Sequence, residues 1–212
     1  LDLTLVLCLL KNNWHSEAGD LTKIGVLALQ GDFREHINML TSLGMDSCEV
    51  RLPKELDHID GLIIPGGEST TIVQLMDNFG MTEKIRRMVN NGLPTWGTCA
   101  GMIVLAKKLV DTRPVPLGLI DVEVKRNAFG SQIDSFQTLI NVPVLGAKPF
   151  PGVFIRAPAM KIIGADVVPL AFLNGEEVVA ARRNKVLVTS FHPELTGDNR
   201  FHAYFSHVVV EG

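Results

Sequence analysis

Apolar residues recur along this chain in two rhythms. From Lys23 onward, short unbroken apolar runs alternate with stretches at helical spacing. The run Ile24-Gly25-Val26-Leu27-Ala28-Leu29 stops at Gln30-Gly31, as a strand buried on both faces would. Phe33, Ile37, Leu40 and Leu43 then repeat at the spacing of a helix, and Gly44 ends it. Cys48-Glu49-Val50-Arg51 is a second strand candidate, and Gly61-Leu62-Ile63-Ile64 is a third that runs into Pro65-Gly66-Gly67. Helical stretches follow over 71–79 and 82–90. Leu93 to Trp96 predicts another strand, ending at Gly97, and Met102 to Lys108 another helix.

Strands alternating with helices, with glycine-rich turns after the strands, predict an α/β fold on a mainly parallel sheet. The second half of the chain changes character. Ile120 to Lys125, Gly152 to Arg156, Val178 to Arg182 and Val186 to Ser190 all have strand character, with few helices between them. A β-rich extension beside the parallel sheet is expected. Phe201 to Val209 fits a closing helix, although the run Val208-Val209-Val210 weakens it. No repeat or low-complexity linker divides the chain, so 23–212 is expected to be one domain.

Composition alters this picture little. A hydrophobic fraction of 46 % and a charged fraction of 20 % in 212 residues suit a globular protein with a substantial core. The formal net charge of −3 gives no electrostatic case for nucleic acid or a membrane surface. The three cysteines, Cys8, Cys48 and Cys99, form neither a disulfide framework nor a C-x-x-C zinc pair. A reducing, cytoplasmic setting is expected, and no metal. Residues 1–22 stand apart as an N-terminal extension. Their apolar start, LDLTLVLCLL, is too short to span a bilayer as a helix.

The strongest local signal is Gly97-Thr98-Cys99-Ala100-Gly101, between a strand candidate and a helix candidate. It is the G-x-S-x-G nucleophile elbow with cysteine in place of serine. A sharp strand-to-helix turn lifts the side chain from the sheet, and flanking glycines leave room for it. A thiol at a helix N-terminus is favoured as thiolate, and the Ala100 N–H is aimed where an oxyanion would form. The other reading is a buried structural cysteine in a glycine-rich turn.

A nucleophilic cysteine needs a base, and a base needs an orienting group. The strand candidate ending at Ser190 leads into Phe191-His192-Pro193-Glu194. Residues two apart on extended chain point to one side, and Pro193 keeps His192 out of a helix. Glu194 is thereby placed to fix the His192 tautomer, completing nucleophile, base and acid in chain order. A chance tripeptide on a surface turn is the alternative. His15, His36, His58, His202 and His207 have no such context and are read as structural or exposed, with His202 the closest of them to the site in sequence.

Pro65-Gly66-Gly67-Glu68-Ser69-Thr70-Thr71 lacks the Gly-Lys-Ser/Thr ending of a phosphate loop, and Glu68 would repel phosphate. It suits a second oxyanion donor at Gly66 or Gly67, with Glu68 and Ser69 on an ammonium-bearing substrate. A helix N-cap at Ser69 or Thr70 is compatible with that use. Arg126 and Arg156 each end a strand candidate, where a guanidinium can hold a carboxylate two-pronged or form a structural ion pair.

Together with Lys23 to Asp32, the blocks PGGESTT at 65–71, WGTCAGMI at 96–103, VKRNAFGSQIDSF at 124–136, GVFIRAP at 152–158 and SFHPEL at 190–195 converge on one family. From about Lys23 to its end the chain resembles the glutaminase subunits of pyridoxal 5′-phosphate synthase, which are class I glutamine amidotransferases. The resemblance implies a flavodoxin-like α/β three-layer sandwich. It also implies a triad of Cys99, His192 and Glu194 that hydrolyses L-glutamine without a cofactor. Gly67, Glu68 and Ser69 match the glutamine-binding loop, and Arg126, Ile155 and Arg156 match the remaining glutamine contacts. The implied partner is a synthase subunit that receives ammonia within a large hetero-oligomer. Ser131 stands where many members carry arginine, and residues 1–22 match nothing in the family. A cysteine peptidase or chaperone-like hydrolase of the same fold, and a non-catalytic regulatory module, are the competing expectations.

Overall fold

The computed structural model describes residues 22–126 and 135–210. The extension up to residue 21, with Cys8 and His15, and the segment 127–134, with Ser131, lie outside the described residues. The first half runs β1 (Lys23–Leu27), α1 (Phe33–Ser42), β2 (Asp46–Val50), β3 (Gly61–Ile64), α2 (Ser69–Asn78), α3 (Thr82–Asn90), β4 (Thr95–Thr98) and α4 (Ala100–Leu105). The second half runs β5 (Ala106–Leu109), β6 (Ile120–Lys125), β7 (Ser135–Ile140), β8 (Phe150–Ile155), β9 (Ala159–Ile162), β10 (Val168–Leu173), β11 (Glu177–Arg183), β12 (Val186–Thr189) and α5 (Arg200–Tyr204).

The main sheet has seven strands in the order β10-β11-β12-β4-β3-β1-β2. Strands β2, β1, β3, β4 and β12 run parallel, while β11 and β10 close one side antiparallel. The parallel part follows the flavodoxin-like order, and the order of strand addition reverses between β1 and β3. Beside it sit a three-stranded sheet, β5-β6-β9, and the antiparallel pair β7–β8.

The apolar runs are strands because both faces of the sheet are covered. Side chains alternate along each strand. Leu62 and Ile64 of β3 join one apolar cluster with α2, α3, α4 and β6, while Ile63 between them joins the other. In β12, Val186 and Val188 face the first cluster and Leu187 the second. The second cluster gathers rings: Trp96 stacks on Phe201 at 6.0 Å, Phe201 meets Phe150 edge-on at 4.9 Å, and Phe191 lies 5.4 Å from both Phe154 and Phe201. Removing one such buried ring costs about 3–5 kcal/mol, so this layer fixes Phe191, the residue before His192. No helix among the described residues is long and apolar enough to cross a membrane.

Several expectations shift. The helix predicted to Lys108 ends at Leu105, because Ala106–Leu109 pairs with β6 instead. The strand predicted over 93–96 is displaced to Thr95–Thr98, carrying Gly97 and Thr98 into the sheet. Strands β7, β9 and β10 have no counterpart among the expected elements. The closing helix is α-helical only to Tyr204, and Phe205–Val210 continues as wider π turns.

Candidate active site

Four loops at the carboxyl ends of adjacent parallel strands build one site: those after β1, β3, β4 and β12. Ligands of open α/β sheets bind at this edge.

The loop after β4 is a steric construction. Cys99 has φ 47° and ψ −102°, a conformation that costs a non-glycine residue on the order of 1–3 kcal/mol. Close packing on either side holds it there. A Cβ on Gly101 would lie 1.9 Å from the Ile64 carbonyl oxygen of β3, and one on Gly97 would lie 2.5 Å from Gly101 itself. The Cys99 N–H donates to the Thr189 carbonyl of β12 at 2.8 Å, tying the turn to the strand that carries the histidine. Cys99 is buried, at 7 % exposure. Ala100 opens α4, and the first N–H groups of a helix have no partner within it.

His192 is anchored by its own N–H, which donates to the Val153 carbonyl of β8 at 2.8 Å. Its Nδ1 is 2.7 Å from Glu194 Oε1, and Asp32 Oδ2 is 3.4 Å from the same nitrogen. Nε2 is then the ring atom left for the thiol. Burial opposes charge on this ring, but Asp32, Cys99 and Glu194 outweigh it, and the pKa is pushed up to about 12. The site therefore holds a proton on His192. Glu194 is fully buried at its side chain, and burial pushes its carboxyl up against the pull of His192.

The glycine loop after β3 closes on this pair. A Cβ at Gly66 would fall 2.4 Å from His192 Cε1, so the loop lies against the ring. The loops after β1 and β3 clasp each other: Asp32 N–H donates to the Gly66 carbonyl at 3.1 Å, and Glu68 N–H donates to Gln30 Oε1 at 2.7 Å. Gly67 is exposed, and Ser69 is buried at the first turn of α2. The cap of α2 is neither Ser69 nor Thr70. Glu68 takes that role, accepting from the N–H groups of Thr70 and Thr71 at 3.1 and 2.7 Å.

Of the residues expected on substrate, Arg126 and Glu68 meet each other, Nη2 to Oε1 at 3.2 Å, and Arg126 Nη1 also reaches the Arg113 carbonyl at 3.0 Å. Ile155 is half-buried at the end of β8, and Arg156 is exposed with φ 42°. Arg156 makes no ion pair among the described residues.

Three residues gain a place that sequence reasoning did not assign. Asp32 reaches His192. His36 and His202, set aside as structural or exposed, are fully buried behind Glu194 and hydrogen-bonded to each other. One signal was available: His36 lies four residues before Leu40 on the apolar stripe of α1, where a polar ring must find partners. Asp32, His192 and Glu194 also bring donor atoms close enough to share a metal ion. The 2.7 Å His–Glu contact already uses two of those donors.

Comparison with known proteins places the chain in a family. A PdxT subunit of pyridoxal 5′-phosphate synthase from Dehalococcoides mccartyi is 57 % identical over 185 residues, 86 % of this chain and 95 % of that protein. The corresponding Thermotoga neapolitana subunit is 47 % identical over 187 residues, covering 88 % and 99 %. A crystal structure of a glutamine amidotransferase superposes with a TM-score of 0.83 at 46 % identity, over 89 % of this chain and 99 % of that one. PurLQS from Thermotoga maritima, at 16 % identity and TM-score 0.64 over 89 % and 99 %, shares the fold. The family model of the SNO glutamine amidotransferases matches residues 26–211, and the chain belongs to that family.

Proposed function

We propose that this protein hydrolyses L-glutamine to L-glutamate and ammonia, and that the ammonia feeds a pyridoxal 5′-phosphate synthase partner in vitamin B6 synthesis. The observation that carries the proposal is a strained, buried cysteine on the turn after β4, tied by its N–H to β12, with a histidine just beyond that strand whose Nδ1 lies 2.7 Å from a buried carboxylate. The curated relatives supply the partner: proteins about half identical over nearly their full length are subunits of that synthase.

Cys99 is the nucleophile. Its sulfur bonds to the side-chain amide carbon of glutamine, and the carbonyl electrons move onto oxygen. N–H groups of Ala100 and the Gly66-Gly67 loop receive that oxyanion. His192 gives its proton to the amide nitrogen, the carbon–nitrogen bond breaks, and ammonia leaves a thioester. The raised affinity of His192 for its proton depends in part on Cys99. Acylation removes that support, so the ring that was an acid becomes a base. It takes a proton from water, the oxygen attacks the thioester carbon, the carbon–sulfur bond breaks, and glutamate departs. Glu194 keeps the ring in one tautomer throughout.

Substrate selection fits the Arg126–Glu68 bridge. Glutamine carries one ammonium and one carboxylate, so each residue can exchange its protein partner for the substrate group of matching charge. The bridge is part-exposed, with side chains 28 % and 49 % accessible, and such pairs hold at most about 1 kcal/mol. The exchange is therefore inexpensive. Gly67, Ser69, Ile155 and Arg156 complete the proposed glutamine contacts.

The test is glutamine hydrolysis with and without a synthase subunit, followed by labelling with a glutamine-derived diazo-ketone. Stimulation by the synthase and a single adduct on Cys99 are expected. Equal rates in both conditions would remove the subunit assignment, and an adduct elsewhere would remove the nucleophile.

A further inference from the structure

Behind the triad lies a polar cluster that the mechanism above does not use. Glu194 presents Oε1 to His192, while its other oxygen, Oε2, has no hydrogen-bond partner of good geometry and sits 3.4 Å from His36 Nε2. His36 Nε2 is also 3.2 Å from Thr98 Oγ1, and its Nδ1 is 2.9 Å from His202 Nε2. Among the described residues His202 Nδ1 has no hydrogen-bond partner. Both rings are fully buried and lie edge-on to Trp96, with centroids at 5.6 and 5.0 Å.

Only one placement of protons fits these contacts. If His36 carried its proton on Nδ1, it would donate to His202 Nε2. His202 would then bury an N–H on Nδ1 facing nothing, and His36 Nε2 would turn a lone pair toward Glu194 Oε2. Both are costly. With protons on Nε2 of both rings, His202 donates to His36 Nδ1, and His36 donates toward Glu194 Oε2 and Thr98 Oγ1. The one unpaired atom is then a bare lone pair on His202. Both rings must be neutral, since a second proton on either would be buried without an acceptor. Burial, first, and neighbouring imidazoles hold His36 well below its ordinary pKa, and burial alone takes His202 to about 3.

Resting on the glutaminase assignment, we infer that His36 is a positioning residue of the reaction: backed by His202, its Nε2–H holds the second carboxylate oxygen of Glu194 so that the first stays aligned on His192. The ionisable groups facing this cluster are Asp32 and His36 at the start of α1, Cys99 at the elbow, His192 and Glu194 after β12, and His202 on α5. Among them, His36 is the group placed to donate to Oε2.

Two polar substitutions separate positioning from packing. The amide nitrogen of His36→Gln reaches the place of Nε2, whereas that of His36→Asn reaches only the place of Nδ1. Glutamine hydrolysis is measured with the synthase subunit present, across pH, per Cys99 titrated by alkylation. H36Q is expected to stay within about threefold of wild type. H36N is expected to lose kcat by about tenfold to a hundredfold at nearly constant KM, as when a ligand-orienting partner is removed. Its acid limb moves to higher pH, because a carboxylate that loses a donor protonates more readily. Equal kcat and an unmoved acid limb in H36N and H36Q overturn the inference. If both variants fail to fold, nitrogen-15 NMR of the wild-type imidazoles decides. Two neutral Nε2–H rings at neutral pH are expected, and an Nδ1–H or charged His36 overturns the assignment. Absence of glutamine turnover in the wild type would instead remove the glutaminase assignment and leave the NMR result standing.

Discussion

The two sides of His192 are built by different means. On the Cys99 side, backbone does the positioning. Gly97, Gly101 and the Ile64 carbonyl crowd together, and the strained turn has no other way to go. On the Glu194 side, side chains do it, drawn from α1, β4, α5 and the turn after β12. Backbone sterics leave a mark in local sequence, because only glycine fits. A side-chain network does not, because its members are ordinary residues far apart along the chain.

The contrast is testable in order of size. Replacing Cys99 by Ala should cost turnover roughly 10³-fold or more while leaving stability nearly unchanged, measured by glutamine hydrolysis and urea unfolding. Glu194→Gln should cost roughly 10²-fold or more, because the amide can present an N–H to His192 and disturb its tautomer. A loss below tenfold would show that Asp32, 3.4 Å from the same nitrogen, orients the ring by itself. Gly101→Ala places a methyl against a carbonyl that cannot yield, and should cost about 2–3 kcal/mol in a denaturant titration. A neutral result would refute the backbone account of the elbow.

The smallest effect lies on the other side. His202 has a folded pKa of about 3, below the ordinary histidine value of 6.5. The unfolded chain therefore binds a proton there that the folded chain excludes. Stability from this ring is complete above about pH 6.5 and falls as pH drops toward 3. His202→Gln removes that proton. The stability gap between wild type and variant should shift by about 2 kcal/mol between pH 7 and pH 5, at the usual slope of about 1.4 kcal/mol per pH unit. An unchanged gap would mean that His202 titrates normally.

The same division explains what could be read in advance. The runs Ile24–Leu27, Gly61–Ile64 and Val186–Thr189 are buried on both faces, so their patterns were plain. The elbow and the His-Pro-Glu turn are local, so their residues stand out in the sequence. Strand β10 was hidden because Pro169 and the outward Val168 and Phe172 suit an edge rather than a core strand. Strand β7 sends Leu139 to solvent, breaking the expected alternation. Lys107 and Lys108 have helical preference, but pairing of Ala106–Leu109 with β6 overrides it. His36 and His202 are separated by 166 positions, and nothing local joins them.

Strand β12 enters the sheet between β4 and β11, and among the described residues it is the last strand in chain order. A ribosome thus finishes the Cys99 turn long before it delivers His192, and the proposed site can assemble only after β12 has slipped between two strands made earlier.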